Sequence, residues 1–285
     1  MRALDHRVTP ARADVAAKYL EGKVIAARYV EGRVMEVIDP QAPLRRAPRP
    51  DAPLSTEALK GERVTIYDMD AEGWGWGQLA SDNYVGWLPL NALVPAGAAP
   101  THKVAALRTL AFPGSSIKLP PIEALPLGAK LVIIRTQDRM AVTQTAAHVP
   151  AAHLKPVGEY ESDFVAVAER FLGVPYLWGG KTALGIDCSG LVQVALTACG
   201  ISCPRDSDMQ EAALGTIVVE HPGELGLERG DLVFWQGHVA IVRDRANLLH
   251  ANAFHMAVAI EPIADAIARI GAAGGEITSV RRLAR

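Results

Sequence analysis

Gly185-Ile186-Asp187-Cys188-Ser189-Gly190-Leu191-Val192 is the stretch on which the reading of this chain turns. An aspartate before a run with apolar residues at helical spacing is a good N-cap, because its carboxylate accepts hydrogen bonds from the free N–H groups of the first turn. Cys188 then falls at the first helical position, where the positive end of the helix macrodipole favours a thiolate, the nucleophilic form of cysteine. Leu191, Val192, Ala195 and Leu196 share one face of the helix, and Gly200 stops it. A lone cysteine at a helix start is more often a small buried apolar residue than a nucleophile. The nucleophile reading therefore needs a base.

Gly237-His238-Val239-Ala240-Ile241-Val242 supplies one. Its alternation is that of a strand, with His238, Ala240 and Val242 on one face. An imidazole facing the helix start would take the thiol proton and later return it to a leaving amine. A third polar group would fix the tautomer of that imidazole. His250 is the candidate, because Asn247 to Ala251 reads as the next strand and a hairpin brings it alongside His238. Asp163 to Leu172 has helical spacing, and Leu232 to Trp235 is a further strand. Helix first and sheet after is an α+β order.

Taken together, these motifs carry a resemblance. Tyr176-Leu177-Trp178-Gly179-Gly180, the stretch around Cys188, Gly230-Asp231-Leu232-Val233-Phe234-Trp235, the stretch around His238, and His250-Ala251 resemble the NlpC/P60 cell-wall cysteine peptidase family, which has a papain-like fold. The likeness spans most of residues 159–285. It implies that Cys188 is the nucleophile, His238 the base and His250 the orienting residue. Tyr176 matches the tyrosine whose hydroxyl helps hold the oxyanion, with the Cys188 backbone N–H as second donor. Asp187 and Ser189 would line the substrate groove. Pro204-Arg205-Asp206-Ser207 matches a second substrate-contact stretch, in which Asp206 would engage a free peptide amino terminus and Ser207 a D-glutamyl carboxylate.

Upstream the texture differs. Gly32 to Ile38, Glu62 to Asp68, Trp74 to Leu79 and Tyr84 to Leu88 are short β-like runs separated by Pro and Gly clusters, as in a small barrel. Residues 31–95 form the first such unit. Pro95 to Pro100 reads as a linker. Residues 101–156 form the second unit, with Ala129 to Arg135 and Arg139 to Thr145 as its clearest strands. Glu57-Ala58-Leu59 and Leu88-Pro89-Leu90-Asn91-Ala92-Leu93 in the first unit are echoed by Glu123-Ala124-Leu125 and Val149-Pro150-Ala151-Ala152-His153-Leu154 in the second. The echo suggests two copies of one barrel, each similar to bacterial SH3 domains. Residues 1–30 precede them, and Asp14 to Leu20 reads as a short helix.

Two such barrels ahead of an NlpC/P60 domain look like the γ-D-glutamyl-L-diamino acid endopeptidases of murein peptide recycling. That resemblance implies a substrate of the form L-Ala-γ-D-Glu-diamino acid with a free amino terminus, and a thioester acyl-enzyme on Cys188. It also implies that the first barrel lends a tyrosine, for which Tyr84 is the candidate, and an acidic residue, for which Asp51, Glu57 and Glu62 compete. Tyr84 reads equally well as an ordinary barrel aromatic. Trp74, Trp76 and Trp87 read as barrel core ahead of a sugar-stacking platform.

Composition narrows the alternatives. The chain has 285 residues, 49% of them hydrophobic, with a formal net charge of −2 and no basic excess to advertise nucleic-acid binding. Its three cysteines, Cys188, Cys199 and Cys203, argue against a disulfide scaffold. Cys199 and Cys203 have a Cys-x3-Cys spacing but no second tight pair, so no metal or cofactor is expected. No signal-peptide or membrane-spanning run appears, and a cytoplasmic protein without membrane association is the simplest expectation. Two other functions stay open at this point: an amidase or acyltransferase using the same Cys and His, and a non-catalytic binder of cell-wall peptides.

Overall fold

The computed structural model describes residues 4–219 and 226–284. Two compact units divide the chain, Met1–Glu159 and Tyr160–Arg285. Among the described residues, no helix is long and apolar enough to cross a membrane.

The N-terminal unit is built from short antiparallel strands. Seven form one sheet in the order Leu54–Leu59, Gln41–Arg45, Val85–Pro89, Trp74–Leu79, Arg63–Met69, Arg33–Val37 and Leu93–Pro95. Alternation seats one face inward: Val37, Leu44, Val64, Leu79 and Leu88 are fully buried in one cluster with Met35 and Ile66. Gln41–Arg45 and Leu54–Leu59 are strands that the sequence hides, since Pro43 interrupts the first and the Pro48–Pro53 turn crowds the second. Each strand is held by its neighbour, pairing Ala42 with Ala58 and Pro43 with Glu57.

The second half of this unit pairs Lys130–Leu131 and Leu154–Pro156 with His102–Val104, and Arg108–Ala111 with Glu123–Pro126. Ile133–Gln137, Met140–Thr143 and His148–Pro150 form a third small sheet. Val104, Ala111, Leu125, Ala129, Leu131 and Val149 gather as its core. The echoed sequence motifs have matching local structure. Leu90–Ala92 and Ala151–His153 are both 3-10 turns that follow a proline and lead into a short strand.

Residues 4–30 depart from expectation. Only Lys18–Leu20 is helical, as one 3-10 turn, while Ala16–Ala17 pairs in parallel with Tyr29–Val30. Val15, Ala16 and Ala17 are all fully buried, which a one-sided surface helix does not allow. Arg12 crosses the indoles of Trp76 and Trp87, with its guanidinium carbon 4.5 and 4.9 Å from their ring centres. Asp14 and Asp68 hold the same guanidinium. Trp74 and Trp76 are buried and Trp87 is half-buried, and none of the three belongs to the cluster around Val37 and Leu44.

The C-terminal unit centres on a six-stranded antiparallel sheet, ordered Thr216–Val219, Ile277–Arg282, Leu232–Trp235, His238–Val242, Asn247–Asn252 and Ala257–Pro262. Helices α1 (Phe164–Glu169), α2 (Cys188–Ala198), α3 (Ser207–Ala213) and α4 (Ile263–Ala272) surround it. Strand residues Val233, Trp235, Ala240, Val242, Leu248 and Val280 pack with Ala266, Ile263, Ile267 and Ile270 of α4. The alternate residues Leu232, Phe234, Ile241 and Leu249 are fully buried too, on the side where α2 packs, so both faces of the sheet are covered. Helix-then-sheet is thus only part of the order, because α4 and the strand Ile277–Arg282 come last and the latter inserts between Thr216–Val219 and Leu232–Trp235. Helix α1 is shorter than its periodicity suggests. Asp163 caps it, accepting from Val165 and Ala166, and the chain turns after Glu169.

Candidate active site

Helix α2 begins as its sequence dictates. Asp187 is extended (φ −97°, ψ 177°), and its Oδ1 accepts from the Gly190 N–H at 2.7 Å. At the far end Gly200 takes φ +77°, with Gly200 N–H donating to Thr197 O and Ile201 N–H to Leu196 O, a Schellman stop. Cys188 is thereby fixed in the first turn.

The Asp187 carboxylate does more than cap. Oδ2 accepts from the Gly179 N–H at 2.8 Å and from Arg205 Nη2 at 2.7 Å, and Oδ1 accepts from Arg205 Nη1 at 2.9 Å. Arg205 Nη1 also donates to Ser189 Oγ, and Nη2 to Gly180 O. Arg205 is 1% exposed. The loop 177–180 consequently lies hard against α2. A Cβ added at Gly190 would sit 2.4 Å from Gly180 O, and one at Gly180 would sit 2.4 Å from Gly185 O. Both glycines are required by close approach of backbone. Asp187 and Ser189, expected in a substrate groove, are buried under this network. Arg205 drew no role from the sequence; its place in Pro204-Arg205-Asp206-Ser207 was the one signal.

The catalytic candidates converge on the start of the strand His238–Val242. The Val239 backbone N–H, one residue beyond the imidazole, bonds the Cys188 sulfur and favours its thiolate, as do the Arg205 charge and the Ser189 N–H. Burial and the Asp187 carboxylate outweigh them and push the Cys188 thiol up to about 12. Burial, with His250 and Arg269 adding to it, lowers His238 to about 3. Burial thus favours the uncharged form of each group.

His238 Nε2 lies 3.0 Å from His250 Nδ1, so the expected orienting contact is made between the two rings. The strand pairing Ile241–Leu249 and Val242–Leu248 sets them side by side. His250 Nε2 lies 2.9 Å from Glu261 Oε2, and Arg269 donates to both Glu261 oxygens, at 2.9 and 2.7 Å. Neither Glu261 nor Arg269 belongs to a motif that sequence reading could pick out. Tyr176, half-buried, bridges to Ile186 and donates its N–H to Met256 O. Burial and the proximity of Cys188 and Asp187 raise its hydroxyl well above the ordinary tyrosine value, so it stays protonated and able to donate.

Asp206 precedes α3 and Ser207 opens it; both are half-buried. Tyr84 lies in the N-terminal unit, 5% exposed, packed into the core of the seven-stranded sheet with Leu79 and Leu88. Its ordinary reading as a barrel aromatic accounts for that place. Of the acidic candidates, Asp51 is exposed, while Glu57 and Glu62 are buried. Cys203 Sγ donates to Pro204 O, and none of the three cysteines is in a disulfide.

Residues 173–269, which contain Cys188, His238, His250, Glu261 and Arg269, match the NlpC/P60 family, and residues 44–93 match the bacterial dipeptidyl-peptidase SH3 domain. The chain is 27% identical over 252 residues to a γ-D-glutamyl-L-lysine dipeptidyl-peptidase of Bacillus cereus, covering 74% of this chain and 71% of that one. It is 29% identical to a protein of the same name from Bacillus subtilis, covering 65% of each. A probable endopeptidase of Corynebacterium glutamicum is 34% identical over 148 residues, 48% of this chain and 68% of its own. The crystal structure of an NlpC/P60 family protein from Bacillus cereus superposes with a TM-score of 0.73 at 20% identity, over 87% of this chain and 99% of that one, and so shares the fold. With its cysteine at a capped helix start and its paired histidines on adjacent strands, the chain belongs to the NlpC/P60 family of cysteine-type peptidases and carries an SH3 domain ahead of the peptidase domain.

Proposed function

We propose that this protein hydrolyses the bond between D-glutamate and the diamino acid in murein peptides that carry a free N-terminal L-Ala. The observation that carries the reading is the grouping of Cys188 beside the Val239 N–H with the bonded pair His238–His250. The Bacillus relatives named as γ-D-glutamyl-L-lysine dipeptidyl-peptidases support the substrate class.

The chemistry follows from the groups present. The Cys188 sulfur attacks the γ-glutamyl carbonyl carbon as its proton passes to the free nitrogen of His238. The Tyr176 hydroxyl and the Cys188 N–H donate to the oxyanion. Collapse breaks the C–N bond, and the departing amine takes the proton from His238. That leaves an L-Ala-γ-D-Glu thioester on Cys188. Water, giving a proton to the same imidazole, then attacks the thioester, and the thiol leaves with that proton.

Asp206 would meet the peptide ammonium and Ser207 the α-carboxylate of D-glutamate, a pairing of charge with charge and hydroxyl with carboxylate. Asp187 and Ser189 act beneath these groups. Residues 101–156 we read as a second SH3-like barrel duplicated from residues 31–95, on the strength of the matching turns after Pro89 and Pro150. The catalytic domain, 159–285, we read as papain-like.

Mass spectrometry of products from L-Ala-γ-D-Glu-diaminopimelate or its L-lysine counterpart tests the reading. The expected products are the dipeptide L-Ala-D-Glu and the free diamino acid. Release of ammonia or transfer of the acyl group to an added amine in place of hydrolysis would favour the amidase or acyltransferase instead.

A further inference from the structure

We propose that Glu261, clamped by Arg269, is a positioning residue that sets the tautomers of both His250 and His238, so that His238 presents a bare Nδ1 to the chemistry. The inference rests on the peptidase reading for its kinetic consequence, but its structural content stands apart from it.

The reasoning is one of donors and acceptors. Arg269 donates through Nε to Oε1 and through Nη2 to Oε2 of Glu261. Those bonds hold the Glu261 carboxyl below its ordinary range, so it is ionised and can only accept. His250 Nε2, 2.9 Å from Oε2, must then carry the proton and donate. Burial keeps His250 neutral, lowered to about 4, and a neutral imidazole has one N–H and one bare nitrogen. Its Nδ1 is therefore the acceptor, and the 3.0 Å contact to His238 obliges His238 Nε2 to donate. His238 is neutral as well, which leaves Nδ1 as its only basic nitrogen. One carboxylate thus dictates the proton positions on two rings in series.

The surroundings fit a purpose-built clamp. Among the described residues, the titratable and charged groups acting on His250 are His238 from its neighbouring strand, Glu261 from the strand Ala257–Pro262, Arg269 from α4, and His255 from the turn between the strands. The His250 side chain is fully buried and that of Glu261 is 7% exposed, so neither ring nor carboxylate can exchange its partner for water without opening the sheet. Arg269 is pinned from the other side, 4.5 Å over the ring of Phe254. When His238 takes the thiol proton, the imidazolium keeps its Nε2–H bond to His250, which is itself held by a carboxylate fixed in place.

Imidazole nitrogen NMR of the full-length parent protein tests the assignment before any variant is made. Both His250 and His238 should show a protonated Nε2 and a bare Nδ1; a protonated Nδ1 on His250 overturns the proposal. Steady-state kinetics on the murein tripeptide then test the consequence. Glu261→Ala should lower kcat about tenfold to a hundredfold with KM within about twofold, and should mix the tautomers, as loss of an outer partner to a working histidine does. Glu261→Gln, whose amide oxygen still accepts from Nε2–H, should keep the tautomers and most of kcat. A merely structural ion pair would lower the stability of both variants and leave kcat and the nitrogen shifts of each folded variant as in the parent; that result overturns the proposal. If the parent itself fails to cleave the tripeptide, the peptidase reading falls, and the NMR result still decides the role of Glu261.

Discussion

Both carboxylate oxygens of Asp187 are held by the two terminal nitrogens of Arg205, at 2.9 and 2.7 Å, directly beneath the turn that carries Cys188. A bidentate pair so deeply buried gains geometric definition more than net stability, but removing one partner strands the other in a dry site. Arg205→Ala should therefore destabilise the protein by about 3–5 kcal/mol. Arg205→Lys should recover only part of this, since an ammonium cannot engage both oxygens in the same fork. Urea unfolding followed by fluorescence measures both. A loss under about 1 kcal/mol for the alanine variant would mean that the pair is solvated in solution.

Cys188→Ala should reduce kcat on the murein tripeptide by at least about 10⁴-fold, the order seen when a nucleophile is removed and binding alone remains. Peptide affinity, read by calorimetry on the same variant, should persist. Turnover by the variant at the parent's rate would remove the sulfur from the mechanism.

Acid should loosen the protein before its carboxylates titrate. Burial lowers His238 to about 3 and His250 to about 4, while in the unfolded chain each returns to about 6.5. Between those limits the unfolded state binds protons that the folded state refuses. The contribution is thus complete above about pH 6.5 and is lost as the pH falls toward 4, with a slope approaching about 1.4 kcal/mol per pH unit for each ring. Urea midpoints at pH 7.5, 6 and 5 should fall in that order, and His238→Asn with His250→Asn should flatten the trend. An unchanged trend in the double variant would assign the acid sensitivity to other groups.

Gly190→Ala pits two effects of known size against each other. Helix propensity favours alanine by about 1 kcal/mol. The new methyl would meet Gly180 O at 2.4 Å, and relieving a backbone clash in a packed site costs about 1–3 kcal/mol. The variant should be less stable than the parent by thermal melting and slower in turnover, because the loop 177–180, which follows Tyr176, must lift. A raised Tm with undiminished kcat would show that loop and helix are not in contact.

How much of this site was legible in the sequence depended on whether a residue acts through its neighbours in the chain. Asp187, Cys188, Gly190 and Gly200 announce themselves because capping, nucleophile placement and helix arrest are local events. His238 and His250 are legible because strand alternation and one hairpin suffice to pair them. Arg205 is not, since its partner lies 18 residues away and nothing near it signals burial of a guanidinium. Glu261 and Arg269 escape for the same reason: the first ends a strand, the second sits on a helix whose apolar face alone is visible in sequence. In the first barrel, Pro43 conceals a strand that forms because Leu44 and Ala42 find a core. Tyr84, read evenly between core and substrate, could be placed only once the packing around it was known.

The guanidinium laid across Trp76 and Trp87 changes what the first barrel can offer a visitor. Its two indoles are roofed by the chain's own leading segment, and that roof is anchored by two carboxylates. A sugar ring seeking those surfaces would have to evict a charged tenant before stacking. The barrel is therefore poorly suited to gripping glycan there.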